Sequence, residues 1–157
     1  MSLEEQIAKI LIENRLKIAT TESCTGGLLS SKLTDVSGSA AYTHLNFVTY
    51  SNEAKHKILG VRLRTLENFG AVSEECSYEM AAGLHKATGA DICVSTTGIA
   101  GPTGGSEEKP VGLMYSTIYT PKKSVTFEIL LPSDLERTRM KEEFANAVLK
   151  RVLDFIS

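Results

Sequence analysis

The stretch Thr20 to Gly27, TTESCTGG, sets a serine, a cysteine and two glycines at the end of a short apolar run, and the LLSSKL behind it can pack one face of a helix. Ser23 therefore sits at or just before a helix start, where backbone N–H groups are unpaired and can hold a developing oxyanion or a phosphate. Gly26 and Gly27 let the backbone approach a ligand closely. Ser23 is thus a candidate nucleophile, and the turn Cys24, Thr25, Gly26 and Gly27 a candidate substrate contact. A serine hydroxyl needs a base nearby. The stretch Val48 to Lys55, VTYSNEAK, repeats the pattern of a strand ending and a short helix beginning. If the two strands are parallel neighbours, Tyr50 and Lys55 face Ser23, and a lysine in a dry pocket can lose its proton and serve as the base. Spacing leaves two rivals open. Ser51 and Lys55 have i, i+4 helical geometry, and Cys24 is a third nucleophile, although small buried cysteines are usually inert. His44, His56 and His85 do not stand out as bases.

A second glycine-rich segment, Gly98 to Gly112, GIAGPTGGSEEKPVG, has five glycines and two prolines between two strands. It is too long for an ordinary hairpin turn, and long ordered loops are often functional. Neither segment has the lysine of a Walker sequence in place, and no GxGxxG with a downstream acid occurs, which argues against kinase and dehydrogenase readings.

The elements that must position these residues alternate between helix and strand, the pattern of an α/β sandwich. Ser2 and Glu5 form a capping box for a first helix with Leu3, Ile7, Ile10 and Leu11 on one face. LKIAT is a short buried strand leading into the first motif. A second helix runs through Leu28, Leu29, Leu33 and Val36 and stops near Gly38, and YTHLNFVTYS is the second strand. NEAKHKILG is a short helix. Ser73 caps a helix with Cys76, Met80, Leu84 and Ala87 in one stripe, ADICVSTTG is a third strand, and VGLMYSTIYT and KSVTFEILL form a hairpin about Pro121. A second capping box, Ser133 to Glu136, opens a final helix with Met140, Phe144, Val148, Val152 and Phe155 inward. Open α/β sheets place ligands in the loops after the strands, where both glycine-rich segments lie.

Composition narrows the partners. The chain has 157 residues, 42% of them hydrophobic, which suits a single domain over 1–157. Its net charge of -2 comes from acids and bases mixed along the chain, so neither nucleic acid nor an anionic membrane is an expected partner. A small polar substrate fits better. Cys24, Cys76 and Cys93 make an odd count with no ligand spacing, so neither a disulfide framework nor a metal is expected, no cofactor is called for, and a reducing cytoplasm fits.

TESCTGGLL, FVTYSNEAK, GAVSEE and GIAGPTGGSEEKPVG, in this order, resemble the CinA C-terminal domain family over nearly the whole chain. The resemblance implies a three-layer α/β/α sandwich with a mixed, mostly parallel five-stranded sheet, in which VGLMYSTIYT runs against the other strands. It implies hydrolysis of the carboxamide of nicotinamide mononucleotide to nicotinate mononucleotide and ammonia, with Ser23 as nucleophile, Lys55 as base and Tyr50 as the motif tyrosine. This places Ser23/Lys55 above Ser51/Lys55. Thr103, Gly104, Gly105 and Ser106 would close around the ribose phosphate, with Arg139, early in the last helix, as the cation. Thr21 and Thr97 depart from the alanine and serine common at these places. The family further suggests a homodimer and a form without the N-terminal domain of longer CinA proteins. The alternative is a domain that binds a pyridine nucleotide or a partner without turnover, linked to competence or DNA repair.

Overall fold

A computed structural model describes all of residues 1–157. Its elements run α1 (Leu3–Glu13), β1 (Ile18–Glu22), α2 (Leu28–Leu33), β2 (Phe47–Val48), α3 (Asn52–Leu59), α4 (Leu63–Phe69), α5 (Glu74–Thr88), β3 (Ile92–Gly98), β4 (Leu113–Tyr119), β5 (Ser124–Leu130) and α6 (Arg137–Ile156). The five strands form one sheet in the order β2-β1-β3-β4-β5. β1 is parallel to both β2 and β3, whereas β4 is antiparallel to its neighbours β3 and β5. Only β4 therefore runs against the rest, and the fold is the expected mixed α/β sandwich.

Each face of the sheet has its own apolar core, as the two-residue alternation of strand side chains requires. Ile18, Ile92, Val94, Met114 and Ile118 meet α1, α2 and α6 on one side. Ala19 and Cys93 meet Leu59, Val61, Cys76, Met80 and Leu84 on the other. That second core holds α3 against α5, and the approach is close: a Cβ on Gly83 would come within 1.8 Å of the Leu59 carbonyl oxygen.

Several local expectations change. The Ser2/Glu5 capping box forms and Ser73 caps α5. The Ser133/Glu136 box does not, because Ser133–Leu135 turn on the Pro132 carbonyl and α6 starts only at Arg137, with no side-chain cap. The second helix stops at Leu33 instead of running to Gly38, and a 3-10 turn at Ser39–Ala41 follows. The second strand has two residues because Tyr42 turns inward, fully buried, and donates to the Leu33 carbonyl. Ala87 is exposed, and α4 has no counterpart in the sequence reading. No helix is long and apolar enough to cross a membrane.

Candidate active site

β1, β2 and β3 are parallel, so their C-terminal ends share one edge of the sheet. Ser23 follows β1, Thr49 and Tyr50 follow β2, and Ile99 follows β3; the start of α6 comes to the same edge. There they enclose a cavity of about 270 Å³ lined by Ser23, Cys24, Tyr50, Lys55, Thr103, Gly104 and Arg137, among others.

Lys55 lies on the inner face of α3 and is only 1% exposed. Its Nζ is 3.0 Å from Ser23 Oγ, 3.1 Å from the Thr49 carbonyl and 2.9 Å from the Tyr50 carbonyl. None of the chain's salt bridges involves it. Burial lowers its pKa below the ordinary lysine value, while Cys76 and Cys24 act in the opposite direction. The three acceptors suit both protonation states. As an ammonium, Lys55 donates to all three, and the Ser23 hydroxyl can donate to the Tyr50 carbonyl at 3.3 Å. As an amine it keeps two N–H groups on the two carbonyls and turns its lone pair to Ser23, which then donates.

The rivals fall away on geometry. The Ser51 hydroxyl is the N-cap of α3 and accepts from the Ala54 N–H. Cys24 is buried, and burial pushes its thiol up to about 12, which leaves it protonated and unreactive. Tyr50 does line the cavity, but it is the Tyr50 carbonyl that holds Lys55; its phenol accepts from Arg137 at 3.0 Å.

The turn after Ser23 differs in detail from expectation. The Gly26 N–H donates to the Ser23 carbonyl, so it cannot serve an oxyanion, whereas the amides of Cys24 and Thr25 have no acceptor elsewhere in the chain. The Thr25 side chain is buried beneath the turn. Gly26 and Gly27 line a neighbouring depression with Lys32 and Lys141. Thr103 and Gly104 reach the main cavity, but Gly105 is pressed against Val111 and the Ser106 hydroxyl closes a turn with the Lys109 N–H.

Arg139 is not the cavity's cation. It points outward and pairs with Glu143 at 3.0 Å. Arg137 lines the cavity instead, donating to the Gly101 carbonyl at 2.6 Å and to the Tyr50 phenol. The helical period held the signal: Arg137 shares the inward stripe of Met140 and Phe144, while Arg139 is turned some 200° from it. Thr97 also lines the cavity and donates to the Ala71 carbonyl, and Thr21 bonds the Thr49 hydroxyl, so both departures are accommodated inside the fold. Nowhere do three or more His, Cys, Asp or Glu side chains gather as a metal site.

A family model described as the CinA C-terminal domain matches residues 1–156. The chain belongs to the CinA C-terminal domain family. It is 50% identical to a CinA-like protein of Chloroherpeton thalassium, covering 100% of this chain and 38% of that protein. A CinA-like protein of Chlorobium limicola is 48% identical, with 99% of this chain and 37% of that protein covered. The chain thus spans little more than a third of the length of these curated relatives. Among solved structures, the competence/damage inducible protein CihA of Agrobacterium tumefaciens superposes with a TM-score of 0.93 at 37% identity, covering 100% of both chains. A CinA superfamily protein of Escherichia coli gives 0.91 at 29% identity, covering 98% of this chain and 90% of that one.

Proposed function

We propose that the domain is an amidase that hydrolyses the carboxamide of nicotinamide mononucleotide to nicotinate mononucleotide and ammonia. The observation that carries this reading is the 3.0 Å approach of Ser23 Oγ to a buried Lys55 that has no acidic partner. Neutral Lys55 takes the Ser23 proton as Oγ attacks the carboxamide carbon. The Cys24 amide receives the oxyanion. Lys55, now charged, returns the proton to the departing nitrogen, so ammonia leaves and an ester remains on Ser23. Water attacks that ester, its proton passes through Lys55 to Ser23 Oγ, and the acid departs. Arg137 is the cavity's cation and the group suited to the phosphate. The same reading includes a homodimer, which light scattering on the purified chain would test.

Purified protein incubated with nicotinamide mononucleotide should release ammonia and the acid in equal amounts. Binding of the nucleotide with no ammonia formed would refute the amidase and leave the non-catalytic nucleotide-binding domain.

A further inference from the structure

Glu22 immediately precedes the nucleophile and is fully buried, yet no cation pairs with it. Its partners are all neutral donors. Oε1 accepts from the Leu29 N–H at 2.8 Å and the Thr25 hydroxyl at 2.6 Å. Oε2 accepts from the Ser30 N–H at 2.9 Å and lies 3.5 Å from the Thr20 hydroxyl. Two of these donors are free amides at the start of α2, whose N-cap is Gly27, with a left-handed φ of 103° and no side chain to cap them. Glu22 supplies the cap from five residues upstream.

The carboxylate also sets the direction of a chain of hydrogen bonds. Because Thr25 donates to Glu22, its oxygen is left to accept from the Thr96 hydroxyl at 2.8 Å. Thr96 in turn accepts the Ser23 N–H, through its carbonyl at 3.0 Å and its hydroxyl at 3.4 Å. The order Ser23 N–H, Thr96, Thr25, Glu22 thus ties the start and the middle of the Ser23–Gly27 turn to one buried charge.

We propose that Glu22 is a positioning residue for acyl transfer: its carboxylate holds the Ser23 turn in the conformation that leaves the Cys24 amide, at the cavity wall, open to an oxyanion. The inference rests on Ser23 being the nucleophile. A neutral amide cannot replace the carboxylate, because each oxygen accepts one backbone N–H. Either orientation of a glutamine would set its NH₂ against an α2 amide, donor to donor.

The test uses two readouts on the whole chain: the rate at which a fluorophosphonate labels Ser23, read by intact mass, and the steady-state constants with nicotinamide mononucleotide. Glu22→Gln removes the charge. Thr25→Val removes the link to Thr96 while leaving both helix amides capped, so it carries the test if the first variant does not fold. Both should slow labelling and lower kcat by about 10²-fold, the order of a lost oxyanion donor, with KM within about twofold, because neither side chain lines the cavity. Thr25→Ser, which keeps the hydroxyl, should recover most of the loss. A Thr25→Val chain labelled at the wild-type rate, or one whose loss falls on KM, would overturn the proposal. Wild-type labelling without nucleotide turnover would refute the amidase reading alone, and the labelling rates would still decide the role of Glu22. A wild-type chain that takes no label at Ser23 would overturn both.

Discussion

Lys55 Nζ and Ser23 Oγ stand 3.0 Å apart although 32 residues separate them in the chain. The parallel pairing of β1 with β2 brings them together: Ser23 lies just beyond β1, and Lys55 is in the first turn of α3, which starts after the short Thr49–Ser51 link from β2. When Lys55 is an ammonium, it and the Ser23 hydroxyl share the Tyr50 carbonyl as a common acceptor, which fixes both against the same peptide.

The first prediction concerns the charge of Lys55. Burial lowers its folded-state pKa, whereas the unfolded value is about 10.4. Between these two values the unfolded chain binds a proton that the folded chain does not, so stability rises with pH across that window and the residue is destabilising at neutral pH. Lys55→Met should melt at or above the wild-type temperature at pH 7, with the advantage shrinking as the pH nears about 10.4. The rate at limiting substrate should rise with pH and level off below that value. Lys55→Arg, which keeps its proton, should lose about 10²–10⁴-fold in kcat.

Arg137 and Arg139 provide a paired control. Arg137→Met should raise KM for nicotinamide mononucleotide by about 10–100-fold, the worth of a charge-assisted contact to phosphate. For the riboside lacking phosphate the same change should matter little. Arg139→Met removes only an exposed pair with Glu143 and should leave KM nearly unchanged. Equal KM effects for nucleotide and riboside would show that Arg137 does not read the phosphate.

A third prediction follows from the contact of α3 with α5. A methyl group on Gly83 would meet the Leu59 carbonyl at 1.8 Å, so Gly83→Ala must push α3 outward and carry Lys55, one turn earlier, away from Ser23. Besides a lower melting temperature, water admitted to Lys55 should move the rising limb of the pH profile toward about 10.4. An unchanged limb would show that Lys55 keeps its burial without this close approach.

Much of the site was legible because it lies in two strand-to-helix junctions with distinctive residues. TESCTGG and VTYSNEAK carry Ser23 and Lys55, and the α/β rule puts both at one edge. Arg139 came from the family resemblance, although the period that turns Met140 and Phe144 inward places Arg137 with them and Arg139 outside. What could not be read depended on element boundaries. Thr25 and Gly26 sit in the right motif but spend their groups inside the turn, and sequence does not distinguish a hydroxyl that holds the backbone from one that touches substrate. Helix α4 has seven residues and no side-chain cap, so neither signal of a helix start was present. The YTHLNFV segment has the apolar content of a strand, but Tyr42 satisfies its phenol by turning into the core.

The proposed reaction passes through an ester on Ser23, which hydroxylamine traps. Enzyme, nicotinamide mononucleotide and increasing hydroxylamine should give, by mass spectrometry, the hydroxamate of nicotinate mononucleotide at the expense of the acid, with neither product formed by Ser23→Ala. Acid as the sole product at every hydroxylamine concentration, or undiminished turnover by Ser23→Ala, would contradict a Ser23 acyl-enzyme.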